Sequence, residues 1–176
     1  MAETDAVPIQ ILRDALEMEQ QGKEFFERAA GLVKHETARN TFLGLVKQEE
    51  RHVSILGGEL ARIQSGKAWA SLSEMRQRST GYPKISVFDD KEIRRIKIRP
   101  EAGEIEVLEI GVKVEQKSID YYKDAAARVS DEKAKEIFDW LVGEESGHLT
   151  ILRAERDSRI GSGYYFDSAE FSLEVM

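Results

Sequence analysis

Residues 11–60 and 107–156 align without a gap and share sixteen identities. A segment used twice in a chain of 176 residues leaves few folds open. Whatever the first copy forms, the second forms too, and the two are then related by a pseudo-two-fold axis. The identities include Leu12/Leu108, Glu19/Glu115, Gln20/Gln116, Ala29/Ala125, Ala30/Ala126, Val33/Val129 and Phe42/Phe138. They continue through Leu45/Leu141, Val46/Val142, Glu49/Glu145, His52/His148, Ile55/Ile151 and Leu56/Leu152. Most are apolar and recur at helical spacing. Leu12, Glu19, Phe26 and Val33 stand seven apart, as do Leu108, Glu115, Tyr122 and Val129. Phe42, Glu49 and Leu56 repeat the spacing, with Leu45 and His52 beside them, and Phe138, Glu145, Leu152, Leu141 and His148 copy the set. That period is the mark of helices with one buried stripe.

Each copy therefore predicts two helices joined by a short turn, an antiparallel hairpin. The first hairpin is expected over about 8–66, with Pro8 in the first turn of its first helix, where the missing N–H costs nothing. A turn near Gly31 and Lys34-His35 leads into a second helix from about 36 to 64. The second hairpin is expected over about 102–160, with its first helix entered from about Pro100. Ser130 or Asp131 caps its last helix, and Gly161-Ser162-Gly163 ends it. Periodicity weakens over 67–101, where Gly81-Tyr82-Pro83 marks a break and short helical turns are predicted at Leu72–Arg78 and Asp89–Ile98. This stretch reads as a crossover that carries the chain back along the bundle, so that the hairpins pack with matched positions level. Exchange of hairpins between two chains is the alternative. The tail from 161 to 176 holds Tyr164, Tyr165, Phe166 and Phe171 and is expected to pack on the bundle or on a partner. The fold class is all-α, a four-helix bundle in one domain over 1–176.

Composition narrows the function. A net charge of −7 offers no surface for a row of phosphates, so nucleic acid is not an expected partner. The absence of cysteine excludes disulfides, iron–sulfur clusters and thiolate zinc sites. No apolar run reaches membrane-spanning length, and the N-terminus lacks a secretory signal, so the expected location is the cytoplasm.

Four of the conserved stripe positions are carboxylates and two are imidazoles. Glu49 and His52, like Glu145 and His148, lie three apart and so share a helix face. Glu19 and Glu115 each stand thirty positions earlier, on the neighbouring helix. A bare carboxylate on a core stripe is very costly. Four ionised Glu and two neutral His carry a charge of −4, which two divalent cations balance. Iron, manganese or zinc suits such oxygen and imidazole donors. The expected ligands are Glu19, Glu49, His52, Glu115, Glu145 and His148. A single Glu-x-x-His is usually an exposed contact; two, in register within a repeat, are not. Tyr122 lies on the Glu115 stripe and either donates to a ligand or oxidant or fills core. Its repeat mate, Phe26, can only fill core. His35 is expected at the surface, and Glu50 and Glu144 in water or behind the ligands.

At Glu19…Phe25-Phe26…Ala29-Ala30, Glu49-x-x-His52, Glu115…Tyr121-Tyr122…Ala125-Ala126 and Glu145-x-x-His148, the chain resembles the rubrerythrins of the ferritin-like superfamily. The resemblance covers roughly 8–66 and 101–160. It implies a ferritin-like bundle with a carboxylate-bridged pair of iron ions. It also implies reduction of hydrogen peroxide or dioxygen, and in some members ferroxidase activity. Two departures stand out. Typical rubrerythrins add a cysteine-ligated rubredoxin domain, whereas this chain has no cysteine, so a separate electron-donor protein is implied. They also carry a further Glu one turn after that of the third helix, where this chain has Ser118, with Gly22 as its mate. The expected site is thus symmetric in its ligands, and the expected assembly is a homodimer. An iron-binding or iron-storage protein and a helical module with structural metals are the competing readings.

Overall fold

The computed structural model describes residues 3–78, 96, 98, 102–161, 164–165 and 168–169. Helices dominate: α1 (Glu3–Leu32), α2 (Glu36–Gln64), α3 (Leu72–Arg78), α4 (Glu104–Arg128) and α5 (Glu132–Ile160). Two short antiparallel strands, β1 (Tyr164–Tyr165) and β2 (Ser168–Ala169), follow.

Local chemistry sets the helix ends. Asp131 opens α5, its carboxylate accepting from the amides of Lys133 at 2.9 Å and Ala134 at 3.2 Å. Gly161 closes α5 in the left-handed region, with φ 64°, where a side chain would be strained. At α2 the cap is His35, whose ring Nδ1 accepts from the amide of Thr37 at 3.3 Å. The expected start of α1 needs correction. The helix begins at Glu3, so Pro8 lies inside it instead of in its first turn. The missing N–H of Pro8 leaves one helical bond unmade near the end of the helix, where that loss is smallest. The turn expected at Leu72–Arg78 is α3. The one expected at Asp89–Ile98 lies largely outside the described residues, and Ile96 and Ile98 are not helical.

Helix α1 packs along α2, and α4 along α5. The hairpins meet through α1 on α4 and α2 on α5, so four helices of one chain close a bundle. Its interior has two apolar layers. One holds Leu12, Leu16, Ile55, Leu56, Tyr122, Ile137, Phe138 and Leu141. The other holds Phe25, Phe26, Ala29, Phe42, Leu45, Val107, Leu108 and Leu152. Full burial of each large side chain stabilises by roughly 1.5–3 kcal/mol. Closeness matters at Gly111, where a Cβ would stand 3.2 Å from Leu152 Cδ1 and 3.4 Å from Phe25 Cε1. The crossover starts tightly fixed. Buried Glu59 accepts from the amide of Ala70 at 3.1 Å, and Trp69 and Met75 bury into the first layer. At its other end Arg28 donates to the carbonyl of Ile96.

No helix among the described residues is long and apolar enough to cross a membrane. The tail's strands bring β1 against α5; the rest of the expected tail packing lies outside the described residues.

Candidate metal centre

Between the two apolar layers lies a layer of charge. Glu19 comes from α1, Glu49 and His52 from α2, Glu115 from α4, Glu145 and His148 from α5, and all six are buried. The heptad spacing places them there, because each occupies a stripe position flanked by core residues one or two turns away. The structure thus brings together every expected ligand residue.

The contacts divide the six into two overlapping sets. Nδ1 of His52 lies 3.2 Å from Glu19 Oε2, 2.9 Å from Glu145 Oε1 and 3.9 Å from Glu49 Oε2. Nδ1 of His148 lies 3.0 Å from Glu145 Oε2, 3.5 Å from Glu49 Oε1 and 3.5 Å from Glu115 Oε1. Glu49 and Glu145 therefore belong to both sets, each directing one oxygen to either imidazole. Glu19 belongs only to the His52 set and Glu115 only to the His148 set. The imidazole planes stack at 20° with centroids 5.5 Å apart. In each set one atom from every member lies within 4.8 Å of the others, close enough for a single cation. Two shared and two unshared carboxylates, with one imidazole each side, would suit a pair of metal ions.

The electrostatics show a site short of positive charge. Burial, then the charge of Glu19, pushes the Glu49 carboxyl well above its ordinary range. Burial also raises Glu115. Against burial, hydrogen bonds from His148 and His52 hold Glu145 below the usual carboxylate range. Against burial, hydrogen bonds to Glu115, Glu145 and Glu49 push the His148 imidazole up to about 12. Against burial, the Glu19 charge, with the nearby Glu144 carboxylate and the close contacts to Glu145 and Glu19, raises His52. Protons thus supply the positive charge that two cations would bring. Glu115 Oε1 and Glu145 Oε1 are buried, face an imidazole nitrogen at 3.5 Å and 2.9 Å, and make no well-aligned hydrogen bond among the described residues, which also suits a cation.

Tyr122 is fully buried and its phenol donates to Glu19 Oε1. Burial, then the Glu19 charge, raises that phenol, so it stays a donor. Ser118 donates its hydroxyl to the Val114 carbonyl at 3.3 Å, within its own helix. Gly22, its mate, leaves Glu49 Oε2 at 3.6 Å from where a Cβ would stand. Neither position adds a carboxylate. Glu50 lies outside the site, pairing with Lys23 at 3.2 Å. Glu144 lies behind the ligands, 4.0 Å from Nε2 of His52 and 3.4 Å from Arg51 Nη1, and the His52 imidazole beside it, with Arg51, holds its carboxyl below the ordinary value. The sequence reading missed Trp140, whose ring stands edge-on to His52 at 5.9 Å. The one available signal was its pairing with Gly44 in an otherwise well-matched repeat.

A solved structure of a hypothetical protein from Pyrococcus furiosus superposes with a TM-score of 0.66 at 21% identity, covering 90% of this chain and 93% of that one. That likeness shows the fold. No curated protein matches the sequence. The family model described as rubrerythrin matches residues 10–156, a span that runs from α1 to α5 and contains all six ligand candidates. The chain belongs to the rubrerythrin family.

Proposed function

We propose that the buried cluster holds two iron ions and reduces hydrogen peroxide or dioxygen. The observation that carries this reading is the pair of overlapping ligand sets, in which Glu49 and Glu145 are common to both. Glu19 and His52 would hold one ion, Glu115 and His148 the other, and the shared carboxylates both. Manganese or zinc fits the same donors. When bound, a pair of iron ions supplies two electrons to one oxidant.

The protein's own groups do the rest. The two apolar layers keep bulk water from the charged layer, which strengthens every electrostatic interaction inside it. The Tyr122 phenol holds Glu19 in place and keeps a proton beside the reacting centre. Glu144 stands 4.0 Å behind Nε2 of His52, while Nδ1 faces the carboxylates that would share a cation with it. Reduction of one peroxide to two waters takes two electrons and two protons. The electrons would come from a one-electron carrier, proposed to be a separate protein; these 176 residues hold no cysteine to ligate a rubredoxin iron. A homodimer in the cytoplasm remains the proposed assembly and location.

A second reading is favoured by Ser118. Without a carboxylate there, the donor set stays at four Glu and two His, which suits oxidation and binding of ferrous ion as a ferroxidase. Anaerobic stopped-flow of the ferrous-loaded protein against hydrogen peroxide tests the first reading. It predicts oxidation much faster than that of free ferrous ion; an equal rate refutes it. Faster oxidation with dioxygen alone, with release of ferric ion, selects the second.

A further inference from the structure

Residues ninety-six apart in sequence occupy equivalent places on the two hairpins, so each half of the centre serves as a control for the other. On the face where α2 meets α5, the halves are covered unequally. Over His52, Arg51 bridges to Glu144 at 3.4 Å, and Trp140 stands against the imidazole. The guanidinium carbons of Arg51 and Arg76 lie 5.4 Å and 5.6 Å from the centroid of the Trp140 ring. Helix α3 packs against both α2 and α5 at this level. His52 is 0% exposed.

Over His148 each covering group has a smaller or uncharged counterpart. Arg51 is matched by Gly147, Trp140 by Gly44 and Glu144 by Gln48, and all three counterparts are exposed. A Cβ built on Gly44 or Gly147 meets nothing within 4 Å among the described residues. Ile55, fully buried, is matched by Ile151, which is 48% exposed. His148 itself is 5% exposed. Inside it, Glu115 Oε1 is buried, 3.5 Å from His148 Nδ1, with no well-aligned hydrogen bond of its own. Glycine within a helix costs about 1 kcal/mol relative to alanine. Among the described residues no close approach of another element asks for it at Gly44 or Gly147, so their packing does not explain either.

We propose that the gap between α2 and α5 at Gly44 and Gly147 is the port through which divalent cations enter and leave the centre. It rests on the reading that the cluster binds two metal ions. The port makes the two positions unequal in rate although their ligands match. The ion held by Glu115 and His148 exchanges first, and the one held by Glu19 and His52 waits behind Trp140 and Arg51.

The test loads the full chain with Co²⁺, then adds excess EDTA and follows the ligand-field absorption of cobalt. Two release phases of equal amplitude are expected, with rates at least tenfold apart. Gly44→Trp and Gly147→Arg copy the covered half onto the open one, at exposed positions where a Cβ meets nothing within 4 Å among the described residues, and should slow the fast phase severalfold. Trp140→Gly should speed the slow phase. A single phase in the unmodified protein overturns the port. So do phases that neither glycine variant alters while circular dichroism shows both folded. Failure of the metal reading is distinct, because it shows in the loading step as uptake of fewer than two cobalt ions per chain.

Discussion

Glu49 and Glu145 hold equivalent places in the two hairpins, yet their carboxyls move in opposite directions. Glu145 lies 2.9 Å and 3.0 Å from the two imidazole nitrogens and is held low. Glu49 lies 3.9 Å and 3.5 Å from the same nitrogens, feels Glu19 as well as burial, and is raised. The first hairpin's Glu19 receives the Tyr122 phenol. The residue matching Tyr122 is Phe26, which has no proton to give. The repeat has kept the ligands and let their surroundings diverge. Matching residues therefore say where a cation sits, and mismatched ones say how each half differs in protons, cover and access.

The largest effect expected from breaking this symmetry is at the shared carboxylates. Glu49→Ala or Glu145→Ala should cost both metal positions, whereas Glu19→Ala or Glu115→Ala should cost mainly one. Elemental analysis of each purified variant checks this, and equal losses from shared and unshared positions would contradict the division into two sets.

Next comes the cover. Ile55→Ala should destabilise the fold by about 2–4 kcal/mol, as buried isoleucine truncations do. Ile151→Ala, its exposed counterpart, should change stability by no more than about 0.5 kcal/mol. Urea denaturation of the two variants measures the contrast.

Smaller is the effect of the phenol. Tyr122→Phe removes a hydrogen bond to a charged acceptor, a loss of about 1.5–3 kcal/mol at most, and should slow reaction with peroxide. Phe26→Tyr offers the second half the same donor. If the phenol matters only as core filling, neither change will alter the rate.

The gentlest lever is pH. Glu49, Glu115, His52 and His148 all have raised values in the folded metal-free chain. A group that binds its proton more tightly when folded stabilises the fold below its unfolded value and loses that contribution as pH rises towards the folded one. For the carboxyls the loss begins above about 4.5 and for the imidazoles above about 6.5. Glu145 and Glu144, held low, act oppositely but only below the ordinary carboxylate range. From about pH 5 to 8 the metal-free protein should therefore lose stability. Metal binding displaces the same protons, so the rise in Tm on adding metal should grow over that interval. Calorimetry of both forms would show it, and an increment independent of pH would contradict it.

How much of this could be read from the chain depended on whether the two copies agreed. The helices of the bundle and all six clustered residues were legible because Glu19, Glu49 and His52 fall on the same heptad stripes as their mates, amid residues that can only be core. The capping of α2 was not, because histidine is an unusual cap and only the fold aims the His35 ring at Thr37. The cover on His52 was hidden for a related reason. It is assembled from Trp140 on one hairpin, Arg51 on the other and Arg76 on the crossover, and no local pattern joins residues so distant in sequence. Pro8 misled because proline favours a first turn without requiring one.

The central claim is that this one chain binds two metal ions through carboxylates held in common. Its most direct test is the metal content of the full-length protein purified from iron-supplemented cells, beside the Glu49→Ala/Glu145→Ala double variant. Two ions per chain in the first and none in the second are predicted; one ion in the unmodified chain, or two retained by the folded double variant, would contradict it.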